Sequence, residues 1–377
     1  MEDVNRSQGS RIVAYRLPSA LEAIMSVLFF VLACTGAGDT DPGDTDLGDA
    51  GLAGDTDAAE GAFFPAGNPW SADASAAPVD PSSAEITAWM AAHSPPNGWG
   101  TGTFRVDFSI VPVTAAAGTP KRAYTAEPDY YYQPDCDFAP VPLPAGGRVE
   151  GGPASFSGDD GGYECLDYDS GADCHLVVHA PSEHRLYEVY HATVRGGEFR
   201  GGCLAIWDTS RVYPATGRGD QCTSADAAGF PILPLLFTAD EIAAGRIDHA
   251  IRFTLPNDMI RQRQYVRPAT HGTNTSGPAT SIPYGAHLRL RADYPLDTLS
   301  PPAQVVARAL QKYGMFHADG GNIALTAASD ALTTAKWAEV GFDTRSLAAL
   351  KATDFEVLDA GPTIEVTFDC RRTPINE

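Results

Sequence analysis

Short runs of alternating apolar and polar residues recur along this chain with the two-residue period of half-buried strands. The longest is Phe104 to Val113, which sets Phe104, Val106, Phe108 and Ile110 on one side. His175 to His179 and Leu186 to Val194 flank Pro181-Ser182-Glu183-His184, which reads as a hairpin turn. Cys203 to Trp207, Ile247 to Leu255, Ala286 to Ala292 and Thr363 to Phe368 are further strand segments. Helical spacing is rarer. Ile86, Trp89 and Met90 share a face over 83–93, with Ser83 as a cap. Thr238-Ala239-Asp240-Glu241 is a capping box opening a short helix that Gly245 ends. Val305, Val306, Ala309, Leu310 and Tyr313 stripe a helix over 302–313 closed by Gly314, and a second short helix is expected near 345–351. The Gly-rich stretch 145–162 has no period and reads as loop. The pattern predicts a mainly β body with a few short helices, an antiparallel β-sandwich or jelly-roll forming one large or two intimate domains.

The first sixty residues follow a different logic. Arg6, Arg11 and Arg16 precede an apolar core, Ala23 to Ala33, interrupted only by Ser26 and too short to span a bilayer. Val31-Leu32-Ala33-Cys34 resembles a lipobox, so 1–33 is read as a lipoprotein-type signal peptide and Cys34 as the lipidated residue. An ordinary secretory signal with an incidental Cys is the alternative, and it implies export as well. Thr35 stands where an inner-membrane retention signal usually carries Asp, which favours the outer membrane or cell surface. Residues 34–60 carry eight acids and no base, with Gly-Asp-Thr-Asp at 38–41, 43–46 and 54–57. Such a segment repels itself and has little to bury, so it is expected to be an extended, disordered tether. The folded body is expected at 61–377.

Charge and cysteine content narrow the partners. With 26 basic and 48 acidic residues the formal charge is −22, which argues against nucleic acid and leaves the lipid anchor as the only membrane contact. Beyond Cys34, six cysteines remain, an even number that fits three disulfides in an oxidising compartment. Six thiols allow 15 pairings. Short sequence separation favours Cys165–Cys174 and Cys203–Cys222, leaving Cys136 for Cys370. No Cys-x-x-Cys pair, EF-hand loop or phosphate-binding glycine loop is present, so neither a metal nor a cofactor is expected.

Candidate chemistry gathers in a set of phrases: His175-Leu-Val-Val, Leu186-Tyr187-Glu188, Thr223-Ser-Ala-Asp-Ala-Ala-Gly229, Ile247-Asp-His-Ala-Ile-Arg-Phe253, Pro268-Ala-Thr-His271, Leu288-Arg-Leu290, and Tyr313-Gly-Met315 with Ala318-Asp-Gly320. From about Trp89 to Leu358 the chain resembles a family of uncharacterised exported bacterial proteins that share these phrases. The resemblance implies export and brings no activity with it. It helps nominate residues: Asp226, His249, His271, Asp319 and Glu188 as catalytic candidates, and His175, Tyr284, Arg289 and Asn322 as substrate-binding candidates. Asp226 with Asp319 or Glu188 would supply the two carboxylates of glycoside hydrolysis. His249 or His271 with Tyr284, Arg289 and Asn322 would suit a polysaccharide lyase, which needs a base and a group to neutralise a uronate. Ser224 lacks the Gly-x-Ser-x-Gly elbow, which ranks serine hydrolysis third. The expectation is a surface-tethered protein acting on polysaccharide. The alternatives are a non-catalytic binding or adhesion module presenting Trp99, Tyr130 to Tyr132 and Trp207, or a structural envelope lipoprotein.

Overall fold

A computed structural model describes residues 63–377. The signal segment, Cys34 and the tether lie outside the described residues. In chain order the principal elements are α1 (Ser83–His93), β1 (Val106–Ile110), β2 (Pro112–Thr114), β3 (Leu176–Ala180), β4 (Arg185–Val189), β5 (Leu204–Asp208), α2 (Ala239–Ala244), β6 (Ile251–Leu255), β7 (His287–Leu290), α3 (Pro301–Lys312), β8 (Met315–Gly320), β9 (Leu325–Ala328), α4 (Trp337–Val340) and β10 (Phe355–Val357). The local signals act as read in several places. The capping box of α2 closes in both directions, and Gly245 ends that helix in the left-handed conformation. The α3 stripe is buried. At Gly314, which follows α3 with φ +71°, a side chain would meet the Leu288 carbonyl at 2.6 Å. Ser83 sits within the first turn of α1, not at its cap, and its hydroxyl accepts from the Val357 N–H at 2.9 Å.

Two sheets organise the body. One has six strands in the order β1-β9-β6-β8-β7-β10, the other four in the order β5-β4-β3-β2. The β3–β4 hairpin is antiparallel, as its turn predicts. However, β1 pairs β9, β6 pairs β8 and β2 pairs β3 in parallel. The body is mostly strands with a few short helices, as expected, but the sheets are mixed and do not make a clear antiparallel sandwich or jelly-roll. Two-residue alternation says which side chains share a face and nothing about the direction of the neighbouring strand. The long segments between strands supply the crossovers that parallel pairing needs. Three smaller sheets of two or three strands complete the described residues. The run 104–113 is divided between the two sheets at Val111. The run 186–194 breaks at His191, whose φ is +56°. The helix expected at 345–351 is absent: the bonds there run Ala348 N to Arg345 O and Leu350 N to Leu347 O, successive three-residue turns that the Asp343 carboxylate starts by accepting from Arg345 N.

The four-stranded sheet is apolar on both faces. Val177, Leu186 and Trp207 join the larger hydrophobic core, while Leu176, Val178, Tyr187, Val189, Leu204 and Ile206 join a second. One sheet thus serves two cores. Among the described residues no helix is long and apolar enough to cross a membrane.

Three disulfides tie this arrangement: Cys136–Cys203, Cys165–Cys174 and Cys222–Cys370. Only Cys165–Cys174 follows the expected pairing. The other two are set by backbone adjacency, because a bridge from Asp137 to Leu204 brings Cys136 to Cys203, and one from Asp220 to Arg371 brings Cys222 to Cys370. Three disulfides are the chemistry of an oxidising, extracytoplasmic setting. Beside them Asp137 is fully buried and saturated. Its Oδ1 accepts from Arg372 at 2.6 Å and the Ile375 N–H at 2.8 Å, and its Oδ2 accepts from Arg218 at 2.6 Å and the Ile206 N–H at 2.9 Å.

Candidate functional site

The seam between the two sheets collects charge. On β1 the apolar side enters the core and the opposite side presents Asp107 and Ser109. From the other sheet comes His175, one residue before β3. Adjacent parallel strands β6 and β8 contribute Arg252 and Asp319. The loop 223–229 closes over them. Ser224 shapes this loop: its hydroxyl accepts from the Asp226 N–H at 3.0 Å and donates to Phe230 O at 2.6 Å. Gly229 has φ +82°, and any side chain there would lie 2.1 Å from the Thr270 hydroxyl. These constraints account for small residues and a terminal glycine in Thr223-Ser-Ala-Asp-Ala-Ala-Gly229.

Residues 225–227 then join four ionisable side chains. His175 Nε2 lies 3.2 Å from Ala225 O. Asp226 reaches Arg252, with Oδ2 3.3 Å from Nε. The Ala227 N–H points to Asp319 Oδ2 at 3.5 Å, and Ala227 O accepts from His271 Nδ1 at 2.9 Å. With ordinary backbone dimensions, one residue between them keeps His271 Nδ1 and Asp319 Oδ2 within about 10 Å. Arg252 is buried, and its other nitrogens meet Thr326 Oγ1 at 3.0 Å and Asp319 Oδ2 at 3.5 Å.

The environment separates the titrations of these groups. Burial, aided by the nearby Asp226 charge, pushes the Asp319 carboxyl up to about 7 against the pull of Arg252. Its side chain nevertheless keeps 23% of its surface open to solvent. Burial also raises Asp226, which is sealed from solvent and leaves Oδ1 without a partner among the described residues. His271 moves the other way: burial lowers it, opposed by its bond to Ala227 and the Asp135 charge. Burial lowers His317 to about 4, leaving it neutral; its Nδ1 donates to Pro283 O at 3.0 Å and its ring stacks on Tyr284 at 4.9 Å. At His175 burial favours the neutral ring, but the Glu150 carboxylate, 2.6 Å from Nδ1, outweighs it and lifts the group to about 9. Both His175 nitrogens then donate, which makes it a fixed imidazolium. Tyr284, buried and 3.2 Å from the Thr273 hydroxyl, is shifted upward by burial and keeps its proton.

Of the residues nominated from sequence, Asp226, His271, Asp319, His175 and Tyr284 meet at this seam. Asn322 is exposed three residues beyond Asp319. Glu188, His249 and Arg289 do other work. Glu188 is sealed and accepts from the N–H groups of Ile232 and Leu233 and from Trp207 Nε1, so it anchors a turn. His249 pairs with Glu241 at 3.0 Å beside α2. Arg289 caps the carbonyls of Ala74, Ser75 and Ala77 and pairs with Glu356. Trp99 and Trp207 are buried and present nothing to a ligand. Sequence reasoning missed Arg252, although it lies inside a quoted phrase, because nothing local marks an arginine in an apolar strand as the bridge between two distant aspartates. It also missed Asp135, Glu150 and Asp173. Among the described residues no three His, Cys, Asp or Glu side chains converge to hold a metal ion.

The fold and site together are those of a disulfide-tied, mixed-sheet protein with a cluster of buried and partly open ionisable groups where the two sheets meet. No family model, curated protein or solved structure matches the chain.

Proposed function

We propose that this is an exported glycoside hydrolase in which Asp319 is the proton donor and His271 the base. The observation that carries the reading is the opposite displacement of two neighbouring groups: a partly open carboxyl that holds its proton near neutrality beside an imidazole that stays neutral. Groups whose surroundings push their titrations apart divide into acid and base. Asp319 would protonate the departing glycosidic oxygen while His271, whose Nδ1 donates to Ala227 O, takes a proton from attacking water through Nε2, the division of labour of an inverting enzyme. Asp226 is sealed and acts through Arg252, which holds Asp319 in place. Lyase chemistry fits less well, since Tyr284 keeps its proton and Arg252 is buried and turned toward Asp226, Thr326 and Asp319.

The test follows reducing ends and absorbance near 235 nm together over a panel of neutral, amino and uronic polysaccharides, with the purified oxidised protein. New reducing ends without absorbance are expected. Asp319→Asn should lower kcat by about 10²–10⁴-fold, the usual worth of a general acid. Activity should fall as pH rises through about 7, where Asp319 loses its proton, and fall again at acid pH as His271 gains one. Rising absorbance would instead mark a lyase, and binding without turnover would favour the non-catalytic glycan-binding reading. We further infer, from the lipobox-like Val31 to Cys34 and the disulfides, that Cys34 carries lipid and holds the protein at the outer membrane. Metabolic palmitate labelling that survives Cys34→Ala would refute the anchor.

A further inference from the structure

Tyr132 and Phe368 are large aromatic side chains left 49% and 46% exposed in a fold that buries Trp99, Trp207 and Tyr284. Both border the cluster just described. The Phe368 ring meets His271 edge-on with centroids 5.5 Å apart, and the Arg263 guanidinium lies 5.4 Å from its centroid. Tyr132 opens the turn closed by the Cys136 N–H to its carbonyl at 3.0 Å, and in that turn the Asp135 carboxylate accepts from the Thr223 N–H at 2.8 Å, at the start of the loop 223–229. Phe368 is also held in an unfavourable state. Its φ is +60°, a region that bulky L-residues rarely enter. The strand before it is fixed by the Val366 N–H to Arg263 O and by the Gln221 side chain, which brackets Glu365 O and Thr367 N–H. The Cys222–Cys370 disulfide fixes the backbone after it. Backbone strain that presents an apolar ring to water at the mouth of an acid–base pair is the kind of cost found at ligand sites.

We propose that Phe368 and Tyr132 are the stacking walls of a sugar subsite beside Asp319 and His271, and that its occupant is a neutral or amine-bearing sugar ring, not a uronate. This rests on the reading of the cluster as glycan-active and adds the substrate class. The C–H face of a sugar covers an aromatic face and removes both from water, while its hydroxyls turn to the carboxylates. The charge around the site selects among sugars. The buried cations are already matched, His175 by Glu150 and Arg252 by Asp226, and the Asp135 and Asp173 carboxyls stand beside them. Arg252 is spent internally, and the rim cation Arg263 already donates to Val366 O at 2.9 Å and covers Phe368. A uronate would find no unmatched cation among these groups, whereas a neutral or ammonium-bearing ring needs none.

The experiment uses the full-length oxidised protein carrying Asp319→Asn, so that bound glycans are not consumed, on an array of neutral, amino and uronic oligosaccharides. Phe368→Ala and Tyr132→Ala, on separate segments, should each weaken the bound neutral or amino glycans by at least about tenfold. Phe368→Trp should restore binding to within about threefold, which a merely structural role for the ring would not predict. Unchanged affinity in both alanine variants, or preferential capture of uronates, would overturn the subsite while leaving the hydrolase reading standing. Absence of any bound glycan, together with no release of reducing ends by the unsubstituted protein, would overturn both.

Discussion

Asp137→Ala should be the most damaging single substitution in the body, costing about 5 kcal/mol, a large share of the 5–15 kcal/mol that holds a typical protein together. Asp137 is fully buried and neutralises two arginines, Arg218 and Arg372, whose side chains are themselves buried. Truncation leaves two cations in low dielectric and two N–H groups, of Ile206 and Ile375, without acceptors. Denaturant unfolding followed by tryptophan fluorescence measures this directly, because Trp207 is buried with Arg218 5.6 Å from its ring. Asp137→Asn keeps the shape and removes the charge, and it should also be strongly destabilising. Replacing the aspartate and both arginines with apolar residues of similar size should recover much of the loss. A loss under about 1 kcal/mol for Asp137→Ala would mean that the arginines find other partners.

Removing the Cys222–Cys370 bridge should rank next. The two residues are 148 apart, and loop-closure entropy alone gives about 5 kcal/mol for such a loop. The same argument gives about 2.5 kcal/mol for Cys165–Cys174, whose separation is 9. The paired variant Cys222→Ser/Cys370→Ser should therefore lower the denaturation midpoint about twice as far as Cys165→Ser/Cys174→Ser. It should also lower activity, since one cysteine opens the loop that carries Asp226 and the other follows Phe368 by two residues. Equal shifts for the two pairs would show that the bridges act through native-state strain and not through the unfolded chain.

Short-range signals were the legible part of this fold. The α2 capping box, the α3 stripe and the 181–184 turn depend on residues within a few positions of one another, and each formed as read. Strand direction and partner did not follow from alternation, so parallel pairing of β6 with β8 went unseen. This matters for the site, because that pairing is what sets Arg252 beside Asp319. The disulfides divide the same way. Cys165–Cys174 is local and was legible, whereas Cys136–Cys203 and Cys222–Cys370 follow backbone adjacency across 67 and 148 residues. Among candidate residues, Asp226 and His271 lie in loops beside small residues and Asp319 is the next-to-last residue of β8, before two glycines; the structure brings the three together. Glu188 and Arg289 carry the same residue types in strands, where sequence does not distinguish a buried anchor from a reactive group. Asp137 left no signal, since its partners come from 81 and 235 positions away.

The order of the bridges bears on how the protein matures. Numbered along the described chain, the six thiols pair first with fourth, second with third and fifth with sixth. A chain delivered N-terminus first to an oxidase that joins each thiol to its predecessor would acquire Cys136–Cys165 and Cys174–Cys203, and neither belongs to the fold. Only the last pair would be right, and it forms after almost all of the chain has been delivered. Production in a host that oxidises thiols but cannot reshuffle them should therefore accumulate mispaired protein whose Asp319–His271 cluster is never assembled. Co-expressing a disulfide isomerase is therefore expected to raise the yield of natively paired protein, readable as a single disulfide isomer by peptide mapping.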